Sequence, residues 1–236
     1  MQPELQPVRS NQNTYGTFGT AISAGSQKVL RNTYLLLALT MVPTIAGAYL
    51  GMATASVLIQ NPIISTFIML AAVIGLQFAI VANRNTMLGV AFLLLMTGLL
   101  GWFLGPLLTY TLALKNGAQL IGYAAGGTAV VFLVMGAIAT TTKRDFSFMG
   151  KFLFVGMIAL LIAMIANMFL QIPALALTIS TLVIVVFSLF LLYDLNRIVR
   201  GGETNYVMAT TGVYMSLFNI FANLLSLLGI LGGERD

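Results

Sequence analysis

The chain contains no cysteine and no histidine, and only 17 of its 236 residues are charged (11 Lys and Arg, 6 Asp and Glu). Each absence removes a class of chemistry. Without cysteine there is no disulfide, no thiolate nucleophile and no cysteine zinc site. Without histidine there is no imidazole base, so neither a serine–histidine intramembrane protease nor a His-Glu-x-x-His metalloprotease can be assembled. A soluble domain carries about 25% charged residues; here the share is 7%, against 59% hydrophobic residues. Such a composition points to a bilayer as the solvent. No phosphate-binding glycine loop, no Gly-x-Gly-Asp protease signature and no acidic cluster for a hard metal is visible, so no catalytic, cofactor or metal residues are assigned.

What is present is a series of long apolar runs. A spanning helix needs roughly 20 apolar residues to cross a core about 30 Å thick. Seven runs meet this: Leu30–Ala53, Pro62–Ala82, Met87–Leu112, Gln119–Thr142, Phe152–Gln171, Pro173–Tyr193 and Tyr206–Leu231. They are too long and too uniformly apolar for the alternating segments of about ten residues that build a membrane barrel. Helices satisfy their backbone internally, as hydrocarbon demands. The predicted fold class is therefore an all-α membrane protein of seven transmembrane helices. Two domains are expected: a disordered tail over 1–27, poor in large apolar side chains, and a transmembrane domain over 28–236. The apolar run after Lys28 and Arg31 reads as a retained first helix rather than a cleaved signal.

The basic residues set the orientation. With the N-terminus in the cytoplasm, nine of the eleven lie inside and only Lys115 and Arg235 lie outside. The positive-inside rule then predicts N-in, C-out. It also accounts for the net charge of +5 without any nucleic-acid partner. The three residues Gln171-Ile172-Pro173 leave room only for a tight outer hairpin, with Pro173 in the first turn of the next helix.

The last span is the most polar. Gly212, Ser216, Asn219, Asn223 and Ser226 recur at spacings of four and three and share one helical face. Such a face must point into protein or water. It either packs against other helices through small and amide side chains or lines a polar cavity; in both cases the last helix is expected to be the most buried and near the centre of the bundle. Asn167 is expected to be a buried amide bonded between helices. Asp194, the acid at the end of the sixth span, is either a solvated interfacial charge or a buried gate paired with Arg84 or Arg197. Gly201-Gly202 permits a left-handed turn before the last span, and Thr204 or Asn205 can cap that span. Gly101 and Gly105, and likewise Gly122 and Gly126, form Gly-x-x-x-Gly pairs suited to close helix contact.

Several stretches together resemble the bacterial YccA-like branch of the Bax inhibitor-1 family. They are Lys28-Val29-Leu30-Arg31-Asn32-Thr33-Tyr34, Gly126-Gly127-Thr128-Ala129, the stretch Ala166–Gln171, Gly201-Gly202-Glu203-Thr204-Asn205-Tyr206 and the stretch Tyr214–Phe221. The resemblance runs from about Lys28 to the C-terminus. It implies a seven-helix bundle with the last helix wrapped by the other six. It also implies a multi-pass protein of the bacterial inner membrane that inhibits, and is a substrate of, the membrane-anchored AAA protease FtsH, with the N-terminal tail as the handle the protease grips. Calcium-leak members of the family carry two acids that share a proton and gate with pH. Asp194 matches the first; Ser216 stands where the second falls. A hydroxyl cannot share a proton as a carboxylate pair does, so the pH-sensitive calcium or cation leak is the alternative implication.

Overall fold

The computed structural model describes residues 23–233. These form eight helices: α1 (Ala24–Ala53), α2 (Ala55–Gln60), α3 (Pro62–Ala82), α4 (Met87–Leu112), α5 (Gly117–Thr141), α6 (Met149–Leu170), α7 (Pro173–Val199) and α8 (Tyr206–Leu231). All but α2 are long and apolar enough to cross a membrane. The protein is a multi-pass, all-α membrane protein.

The spans match the sequence reading closely where proline or a polar seam marks a boundary. The ends of α5 and α6 differ by one to three residues, and three places differ more clearly. First, α1 begins at Ala24, because Ser23 Oγ accepts a hydrogen bond from Ser26 N (3.2 Å) and so caps the helix. Residues 24–27 therefore belong to the first helix and not to the tail; the remaining tail lies outside the described residues. Second, the six-residue α2 fills the connection between the first two spans. Third, α7 continues past Tyr193 to Val199, so Asp194 and Arg197 stand within its last two turns.

Two features position the rest. The first is the contact of α1 with α4. A Cβ placed on Gly47 would meet the carbonyl of Gly98, one on Gly51 that of Trp102, one on Gly101 that of Thr44, and one on Gly105 the backbone of Gly51. The two backbones touch, with no side chains between them. In a bilayer no hydrophobic force drives helices together, so this proximity and the dispersion it provides hold the pair. Trp102 Nε1 donates to Thr54 Oγ1 (2.7 Å) and fastens the C-terminal end of α1. The other pair, Gly122 and Gly126 of α5, has no atom within 4 Å of an added Cβ. It faces outward, so the expected close contact does not form there.

The second feature is α8. It packs against α1, α3, α4, α5 and α7, while α6 lies against α7. Only Ile230 and Leu231 of α8 are exposed. Leu93 and Met96 of α4, Leu191, Leu195 and Ile198 of α7, and Val213 and Ile220 of α8 form the core, all at 1% exposure or less. Burial is not concentrated in α8 alone: α4 is buried over as large a part of its length, because it meets α1 through its glycines and α8 through its leucines. By contrast α3, α5 and α6 are mostly exposed, and their outward Phe78, Tyr123 and Phe152 are suited to lipid.

The glycine contacts yield a paired expectation. Gly51→Ala should destabilise the protein by about 1–3 kcal/mol or more through overpacking against fixed backbone. Gly122→Ala should be neutral or stabilising by up to roughly 1 kcal/mol, the helix-propensity difference. Thermal unfolding of the two variants in one detergent checks the contrast.

Candidate functional site

At the end of the bundle where α7 passes into α8 the sequence places a left-handed glycine, an acid and an amide in succession, and they build one structure. Gly201 adopts φ 76° after α7, a conformation open to glycine at little cost. The N–H groups of Gly202 and Glu203 then donate to Arg197 O (2.8 and 3.2 Å). Asn205, rather than Thr204, caps α8: its Oδ1 accepts from Val207 N and Met208 N (both 3.0 Å). Its Nδ2 donates to Arg84 O (2.9 Å) and Asn85 Oδ1 (2.8 Å), tying the α3–α4 turn to the α7–α8 loop.

This loop decides the partner of Arg197. The guanidinium donates to Glu203 Oε2 (3.2 Å) and lies 5.5 Å from the centre of the Tyr193 ring. Glu203 Oε1 accepts from Asn205 N (3.0 Å). The expected ion pair of Asp194 with Arg197 or Arg84 is thus not formed. Arg197 is held by Glu203, and Arg84 meets the site through its backbone carbonyl. Among the described residues, nothing donates a hydrogen bond to Asp194 or lies within 4.0 Å of it as an ion-pair partner.

Asp194 instead rests against α8. A Cβ added to Gly212 would stand 2.6 Å from Asp194 Oδ2, so the missing side chain of Gly212 is the space the carboxylate occupies. Below it opens a cavity of about 470 Å³ between α7 and α8, lined also by Gln77 of α3, Arg197, Glu203, Thr211 and Ser216. Asp194 is half-buried, with the charges of Arg197 and Glu203 nearest it. A carboxylate in such a place needs solvent or a cation as partner. The cavity supplies the room.

The polar stripe of α8 therefore divides in two. Gly212 and Ser216 face the cavity. Further along, Asn219 Nδ2 donates to Met215 O (2.8 Å) and Asn223 Nδ2 to Asn219 O (2.9 Å). Both amides satisfy themselves on their own helix, one turn back, and Ser226 is half-buried beyond them. Asn167 is likewise no bond between helices. It is half-buried at the other end of the molecule, where its Oδ1 accepts from Ile172 N (3.1 Å) and closes the α6–α7 hairpin around the left-handed Gln171. An amide at a helix end finds orphan backbone groups within reach, which is why local pairing wins.

Two residues that the sequence reading passed over matter here. Asn196, 1% exposed, accepts from Phe146 N (3.2 Å) and donates to Arg144 O (3.3 Å), pinning the α5–α6 loop to α7. In that loop the side chain and backbone of Ser147 both donate to Asp145 Oδ1, and these bonds hold its carboxyl below the usual carboxylate range. Tyr214, 2% exposed, joins three helices: its hydroxyl bonds Thr44 Oγ1 of α1 (2.8 Å) and donates to Thr97 O of α4 (3.3 Å). The signal for Asn196 was a lone amide beside Asp194. Tyr214 had no signal beyond its place on the least exposed helix.

Residues 26–233 match the family described as inhibitor of apoptosis-promoting Bax1. The chain is 42% identical over 211 residues to the modulator of FtsH protease YccA of Escherichia coli K12, covering 89% of this chain and 93% of that protein. It is 42% identical over 209 residues to a membrane protein of Vibrio cholerae, covering 89% and 92%. A Pseudomonas aeruginosa protein is 40% identical over 206 residues, covering 87% and 90%.

Asn196→Ala leaves the half-buried Phe146 N–H and the Arg144 carbonyl without their partner, a loss of about 1 kcal/mol. The expected result is faster tryptic cleavage after Lys143 and Arg144 while the helical content is kept; an unchanged cleavage rate would show that Asn196 does not hold the loop.

Proposed function

Because the chain belongs to the Bax inhibitor-1 family, we propose that it is an inner-membrane modulator of a membrane-anchored AAA protease of the FtsH type, both inhibiting it and serving as its substrate. The observation that carries this is the 42% identity, over about nine-tenths of either chain, to a protein named as a modulator of FtsH protease. The architecture supplies a mechanism. Residues 1–22 are polar and poor in large apolar side chains, a composition that gives an ATP-driven protease a segment to engage. The helices behind it are joined at backbone level between α1 and α4 and by the Tyr214 hydroxyl across α1, α4 and α8. A client that starts easily and yields slowly occupies the enzyme and spares other clients. The orientation is N-terminus cytoplasmic and C-terminus periplasmic, supported by the distribution of Lys and Arg. The role is non-enzymatic: with no histidine or cysteine, no activated nucleophile–base pair is at hand.

A second reading is favoured by one observation. Asp194 stands at a cavity without a protein partner, and Ser216, at the position of the family's second acid, lines the same cavity. This fits a leak path for calcium or another cation in which one carboxylate does the work of two.

The two readings separate experimentally. Deleting residues 3–20 keeps the Ser23 cap and should lengthen the cellular lifetime of the protein severalfold and release protease activity on a reporter client. Equal lifetimes would contradict the handle. Asp194→Asn should leave co-purification with the protease unchanged; a change in calcium flux in reconstituted vesicles without that loss would favour the leak.

A further inference from the structure

A second cavity, of about 780 Å³, lies between α1 and α5 with α8 as its floor. It falls within the roughly 300–1,000 Å³ of small-ligand sites. Its rim residues Met41, Ile45 and Tyr49 are exposed, so it opens sideways to the bilayer. The hydroxyls along its length, those of Thr44, Thr128 and Tyr214, are already bonded within the protein. Thr44 Oγ1 donates to Thr40 O (2.7 Å) and Thr128 Oγ1 to Ala124 O (2.8 Å). The Tyr214 hydroxyl bonds Thr44 and Thr97. Between the end tyrosines Tyr34 and Tyr49 the groove offers no free donor, so what lies along it is hydrocarbon.

Its depth assigns the occupant's orientation. From Met52, near the outer end of α1, to Tyr34 is 18 residues, roughly 27 Å at 1.5 Å per residue, close to the thickness of the hydrocarbon core. Tyr34 thus stands at the opposite interface, where its ring meets Phe132 of α5 edge-on at 5.8 Å and its hydroxyl has no partner among the described residues. One turn beyond, at head-group level, is the exposed Arg31, which shares the groove's face of α1 through the heptad Arg31, Ala38, Ile45, Met52. Its guanidinium has no ion pair among the described residues.

We propose that this groove is a binding site for an anionic phospholipid, with an acyl chain lying along α1 and α5 and the phosphate held by Arg31 and the Tyr34 hydroxyl. A guanidinium grips phosphate with two parallel hydrogen bonds, and basic residues beside gaps between helices select anionic head groups.

The test is native mass spectrometry of the full chain released from nanodiscs containing phosphatidylglycerol and phosphatidylcholine with identical chains. The expected result is one retained lipid, enriched in phosphatidylglycerol. Ala125→Phe, or Ala129→Phe if the first folds poorly, fills the groove and removes the retained lipid. Arg31→Gln keeps a lipid but lowers the phosphatidylglycerol preference about fivefold, the effect of one basic residue near the membrane surface. Arg31→Lys restores most of the preference, and Lys151→Gln, away from the groove, changes nothing. The proposal is overturned by the absence of a retained lipid, by lipid retention in both groove-filled variants, or by a preference that Arg31→Gln leaves intact or that Lys151→Gln lowers equally. It is also overturned if a photocrosslinker at position 125 captures a partner's helix in place of lipid.

Discussion

A polar group in hydrocarbon has only the protein to bond with, and the whole arrangement of this bundle follows from where each such group finds its partner. Most find it one turn back on their own helix. The hydroxyls of Thr109, Thr140, Ser188 and Thr211 bond the carbonyl four residues earlier, and so do the amides of Asn219 and Asn223. Bonds between helices are fewer, as from Tyr214 to α1 and α4 and from Thr210 to Thr33 O of α1 (3.4 Å). The consequence is that polarity in these spans is largely silent.

Against that background the cavity between α7 and α8 stands apart. Its carboxylate is placed by an absence, the missing side chain of Gly212. The nearest cation, Arg197, is drawn away by Glu203. The loop from Gly201 to Asn205 makes both happen: its left-handed turn brings Glu203 back over α7, and Asn205 joins the loop to α8 and to the α3–α4 turn. Rigidity on the α1–α4 side and an unpaired acid on the α7–α8 side are separate properties.

The spans were legible because bilayer thickness imposes a length that few other constraints impose. Pro62, Pro173 and the seam before Met87 fixed boundaries that the structure repeats. A left-handed turn at Gly201-Gly202 and a cap at Thr204 or Asn205 were also legible, since local backbone rules call for them; that Gly201 and Asn205 take these roles is the structure's choice. Partner choice was not. Asp194 and Arg197 are three apart on one helix, yet a loop residue six positions on from Arg197 takes the guanidinium. Gly101-x-x-x-Gly105 and Gly122-x-x-x-Gly126 have the same spacing, and only the first meets a neighbour. Spacing tells which residues share a face; which helix that face meets is a property of the assembled bundle. The buried roles of Asn196 and Tyr214 were hidden for the same reason.

The central claim is that Asp194 reaches solvent through the cavity while the amides of α8 are served inside the protein. The chain's lack of cysteine makes a direct measurement possible: the rate at which a membrane-impermeant maleimide, added to sealed vesicles on the side of the α7–α8 loop, labels a single cysteine at position 194 or at position 219. Rapid labelling of Asp194→Cys with slow labelling of Asn219→Cys is the predicted result. Labelling of Asn219→Cys as fast as, or faster than, Asp194→Cys would contradict it.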